Sequence, residues 1–74
     1  MYRSMRIVTI ESHHLADGGH AVVSRTGRTY MFARSYNSLT RPPAVRLNLT
    51  KAAALALLAD IIRADVLELE DEMG

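Results

Sequence analysis

The sequence predicts an α+β fold, a three- or four-stranded antiparallel sheet followed by one C-terminal helix. Three observations carry that prediction. Residues 6–49 hold short runs rich in β-branched and aromatic side chains, and glycine-bearing or proline-bearing turns separate them. A run dominated by alanine and leucine then extends from Ala52 to Ala64, and both are strong helix formers. Thr50 stands immediately before that run, where its hydroxyl can accept a hydrogen bond from an unpaired amide of the first turn.

The first strand is expected over residues 5–12, on the alternation from Arg6 to Ser12 with Ile7, Val8, Thr9 and Ile10 inside it. His13 to Gly19 reads as its turn, since Asp17-Gly18-Gly19 supplies residues that tolerate positive φ. A second strand over 20–25 and a third over 28–35 flank Gly27 and make the most clearly written hairpin of the chain. The polar segment from Ser35 ends in Pro42-Pro43, which cannot donate to a ladder and so marks a loop. A short fourth strand over 44–49 follows. Its alternation points Val45, Leu47 and Leu49 to the core and Arg46 and Asn48 to water.

The helix is expected over 51–67. Leu55, Leu58, Ile62, Val66 and Leu69 form one apolar stripe, which Leu57 and Ile61 widen on a neighbouring face. Such a wide surface suits either burial beneath a curved sheet or a helix-mediated homodimer, with Leu57 and Ile61 as the candidate seam. Residues 68–74 read as an acidic tail that frays into solvent.

At 74 residues the chain is the length of one small domain, 1–74. It has no cysteine, so no disulfide can reinforce it, and a cytoplasmic location is expected. No stretch approaches the ~20 apolar residues of a membrane span, and residues 1–6 do not open a signal peptide. The net charge of +1 conceals a division along the chain. Residues 1–51 carry seven arginines and Lys51 against Glu11 and Asp17, whereas residues 52–74 set Arg63 against six acids.

Little in the sequence points to chemistry. His13, His14, Asp17 and His20 are legitimate zinc-ligand types, but their spacing matches no closed site and a solvated polar turn explains them. No Gly-x-Ser-x-Gly turn, phosphate loop or dinucleotide fingerprint can be written. The paired carboxylates lie in the tail, away from any pocket that could perturb their pKa. The expectation is a protein that is not an enzyme and carries no cofactor or metal.

Binding remains. The arginines Arg25, Arg28, Arg34, Arg41 and Arg46, with Tyr36 among them, form the candidate partner-binding set. Interleaved with Tyr30 and Phe32, they would suit single-stranded nucleic acid, guanidinium groups meeting phosphates while bases stack on rings; the alternative is that Phe32 points into the core and Tyr30 and Arg34 sit beneath or at the edge of the helix, which removes the stacking platform. Glu68, Glu70, Asp71 and Glu72 are the candidate acidic surface for a basic partner.

The order of four strands and then Arg46-Leu47-Asn48-Leu49-Thr50 entering a helix resembles, over Ala44 to Ile62, the single-stranded-DNA-binding transcriptional coactivators and the Whirly proteins. That resemblance implies sheets that grip DNA and a helix that dimerises. In size and build, without a shared motif, the chain also resembles the anti-CRISPR inhibitors that phages deploy against bacterial defence. This second resemblance implies a viral inhibitor that occupies a surface of a larger effector. The combined expectation is a non-catalytic module acting stoichiometrically, with a protein partner first, single-stranded nucleic acid second, no membrane, and a homodimer through the helix as an added option.

Overall fold

The computed structural model describes residues 6–73, with side chains over residues 6–69. Four strands, β1 (Ile7–His14), β2 (His20–Thr26), β3 (Thr29–Ser35) and β4 (Ala44–Leu49), pair in chain order as an antiparallel meander. One helix, α1 (Lys51–Met73), follows the sheet. This is the predicted α+β arrangement, in its four-stranded form.

The β1–β2 connection is tighter than its sequence suggests. His13 and His14 belong to β1, where they pair with Ala21 and His20, and the turn shrinks to the residues between His14 and His20. Backbone bonds from Leu15 N to Gly19 O (2.9 Å) and from Gly18 N to Leu15 O (3.0 Å) close it. Gly18 supplies the positive φ of 90° that an L side chain rarely adopts. Gly19 is buried against the neighbouring strand, where an added Cβ would run into the Ser35 carbonyl. The expected start of β1 at Met5 lies outside the described residues.

Residues directly opposite one another in an antiparallel pair share a face, so the registers sort the sheet. Glu11, Val23 and Phe32 lie on the helix side, as do His13, Ala21 and Arg34. The helix crosses β2 and β3 on that side. Leu15, Ala21, Val23, Phe32, Ala54 and Leu58 form the buried core, and Tyr30, Leu49, Leu55, Leu57, Ile61 and Ile62 pack around it half-buried.

The fourth strand corrects the alternation read from its sequence. Val45 pairs with Ala33, on the side away from the helix, and is 50% exposed; Leu47 is 62% exposed. Only Leu49, opposite Tyr30, reaches the core. The cause is a bulge. Between the pairs Phe32↔Arg46 and Tyr30↔Leu49, Leu47 and Asn48 oppose the single residue Met31. Asn48 takes a φ of 58°, the only positive φ of a non-glycine residue among those described, which shifts the alternation by one and turns Leu49 inward.

Thr50 caps the helix as expected: its Oγ1 accepts from the Ala53 amide at 3.1 Å, and its carbonyl accepts from Ala54 N at 3.0 Å. The far end is longer than predicted, because the helix runs on through the acidic residues to Met73 instead of fraying after residue 67. Leucine and glutamate favour that continuation, while acids near a helix C-terminus oppose the macrodipole only weakly. Where the helix passes the β1–β2 turn, the Asp65 carboxylate accepts from the Ala16 amide at 3.0 and 3.2 Å, fixing the crossing. Among the described residues, no helix is long and apolar enough to cross a membrane.

Candidate functional site

The fold divides the candidate arginines between the two ends of the sheet. Arg25 and Arg28 sit at the β2–β3 hairpin, where Arg25 donates from Nη1 to the Gly27 carbonyl at 2.8 Å. Arg46 lies on edge strand β4 opposite Phe32. Arg34, Tyr36 and Arg41 gather at the other end, beside the β1–β2 turn.

That gathering is an ordered stack. The Arg34 guanidinium lies 4.2 Å from the centroid of the Tyr36 ring, and the Arg41 guanidinium lies 3.7 Å from it. Both distances are within cation–π range. Arg34 is held in place from behind. Its Nη2 pairs with Asp17 Oδ2 at 3.2 Å, and its Nη1 donates to the Ser35 carbonyl at 2.6 Å. Asp17 in turn accepts from the Gly19 amide at 2.8 Å. The Gly19 amide and then the Arg34 guanidinium hold the Asp17 carboxyl below its ordinary value of 3.8. Among the described residues, Arg41 makes no ion pair, so its charge remains available on an exposed loop.

The aromatic half of the expected arginine and aromatic sheet face is spent inside the molecule. Phe32 is buried at 5% exposure, and Tyr30 is half-buried under the helix opposite Arg25. Tyr36, beyond the end of β3, keeps its ring at the surface, half-buried against the two guanidinium groups.

The histidines separate as well. His13 points to the helix side and pairs with Glu11 (Nε2 to Oε2, 2.9 Å), whereas His14 packs its ring 4.3 Å from that of His20 on the other side. Asp17 is committed to Arg34. Among the described residues, no three His, Cys, Asp or Glu side chains gather as a metal cage would need.

The helix candidates also change position. Leu57 and Ile61, offered as a dimer seam, are half-buried against the chain's own core, so most of that surface is already used. Glu68 is exposed on the helix, while the side chains of Glu70, Asp71 and Glu72 lie outside those described. Sequence reasoning missed a different surface. Val45 and Leu47, expected in the core, lie with Ile7 on the face of the sheet that the helix does not cover. No protein family, curated protein or solved structure matches this chain.

Proposed function

We propose that this protein is a non-catalytic binding module that acts by stoichiometric occupation of a protein partner's surface, with the Arg34, Tyr36 and Arg41 stack as the centre of contact. The observation that carries this reading is the packing of two guanidinium groups on the Tyr36 ring, 4.2 and 3.7 Å from its centroid. Tyrosine and arginine are the residue types over-represented where a few side chains dominate binding energy. Side chains already packed against one another before contact lose less entropy on binding than free ones. The unpaired Arg41 charge favours an acidic patch on the partner. Among protein partners, the effector complexes of bacterial CRISPR-Cas defence are the class to test first, because the chain resembles anti-CRISPR inhibitors in size and build, without a shared motif.

The runner-up is single-stranded nucleic acid. Oligonucleotide sites of that kind repeat aromatic stations along a basic groove, and here a single ring stands between arginines. Titration of fluorescent single- and double-stranded oligonucleotides over a salt series, alongside titration into purified CRISPR effector complexes, separates the two. Effector binding that weakens at least about tenfold (1.4 kcal/mol) in Tyr36→Ala and in Arg41→Glu supports the proposal. Oligonucleotide affinity that falls steeply with salt and is lost in the same variants would overturn it in favour of nucleic acid.

A further inference from the structure

We infer that the sheet face away from the helix is a homodimer interface, on which a second copy of this chain packs sheet against sheet. The registers place Ile7, Val22, Met31, Ala33 and Val45 on that face, and strand alternation adds Leu47. Between them stand only Thr9, Ser12, Ser24, Thr26, Thr29 and Ser35, with His14 and His20 at one edge. No Asp, Glu, Lys or Arg is among the paired residues of this face. Arg25, Arg34, Arg46 and Glu11 all pair on the helix side.

An antiparallel sheet with one face in water ordinarily alternates apolar residues inside with polar and charged residues outside. Here the face away from the helix lacks charge among the described residues and keeps large apolar groups open on its edge strands, with Ile7 66%, Val45 50% and Leu47 62% exposed, while Val22, Met31 and Ala33 between them are half-buried and Ser24 is buried. The chain's own core is small, with six hydrophobic residues buried among those described. A small domain of this kind gains most from burying a second layer.

Charge and area identify the occupant. A two-fold interface sets the same patch against itself, so every charge on it would meet its own sign nearby; among the described residues this face has no Asp, Glu, Lys or Arg to oppose pairing. For the same reason it offers nothing to a phosphate backbone. Four strands about 4.8 Å apart and about seven residues long give a footprint of roughly 19 by 24 Å. Two such footprints amount to about 900 Å² before side-chain relief is added, which approaches the ~1,200 Å² at which specific interfaces begin. The product is a four-layer particle, helix, sheet, sheet, helix, in which both sheets are covered on both faces. It leaves the Tyr36 stack, at the end of the sheet, open to the separate partner proposed above.

The test is sedimentation of the intact chain over a concentration series at low and high salt, with amide NMR shifts followed on dilution. The expected result is a mass twice the 8.2 kDa of one chain, persisting at high salt because the face is uncharged, with shifts concentrated at Val22, Met31, Val45 and Leu47. Leu47→Lys, on an edge strand that tolerates lysine, should give a monomer with its helical circular dichroism intact, whereas Leu39→Lys, in the exposed loop, should remain dimeric. Mixing Leu47→Lys with Leu47→Glu should restore the dimer. A wild-type chain that is monomeric throughout, or dilution shifts that centre on Leu57 and Ile61, would overturn the inference, and both readouts need no variant to fold.

Discussion

Asp17 shows how one side chain joins a turn to the surface proposed for binding. It accepts from Gly19 N, closing the turn, and from Arg34, which supports the Tyr36 ring. Its folded-state pKa lies below the ordinary 3.8, so its stabilising contribution is complete above that value and is lost as pH falls through the lowered one. Acid titration followed by circular dichroism should therefore find Asp17→Asn less stable than wild type at neutral pH, with the gap closing in strong acid. A gap that stays constant from neutral pH into strong acid would show that the carboxylate charge contributes nothing. Gly18 and Gly19 beside it are constrained for different reasons, the first by its φ of 90° and the second by the closeness of the Ser35 carbonyl.

At the scale of the element, β4 depends on a single unusual backbone conformation. Asn48 at φ 58° makes the bulge that returns Leu49 to the core and leads the chain into Thr50 and the helix. Asparagine tolerates this region because its short polar side chain can satisfy the local backbone, and a β-branched residue does not. Asn48→Gly should be close to neutral, while Asn48→Val should cost about 1–2 kcal/mol in chemical denaturation. Equal stability of the two variants would mean that the bulge relaxes without cost. The helix is pinned at both sides of its packed portion, by the Thr50 cap and by the Asp65 carboxylate on Ala16 N, and beyond Asp65 it carries its exposed Val66, Leu67 and Leu69 past the turn.

For the whole molecule, the helix and the sheet share one core, and Leu58 is its largest fully buried side chain together with Val23. Removing the Leu58 side chain beyond Cβ should cost about 2–5 kcal/mol, a large part of the stability available to a domain of this length. Because no second core exists among the described residues, Leu58→Ala should lower the helical signal and the tyrosine environment in one coincident transition. Two separated transitions would show that sheet and helix are stable independently. The division of charge along the chain is not a division in space. The helix runs back to the β1–β2 turn, so Asp65 lies against the turn that holds Asp17, which pairs with Arg34.

The sequence alone determined the class of the fold, the order of its elements, the second hairpin at Gly27 and the helix start at Thr50, because each rests on local chemistry: β-branched content, turn residues, capping and helix propensity. It also supplied the residues of the basic stack, without showing that Arg34, Tyr36 and Arg41 would meet while Arg25 and Arg28 lie at the far end. Which side chains face inward on β4 was decided only by the tertiary structure. A one-residue bulge reverses every face upstream of it, and Asn48, a residue type that tolerates positive φ, was the one local signal of that reversal. The uncharged face of the sheet was likewise invisible in the sequence, since its residues come from four separate strands and share a surface only once the registers are set.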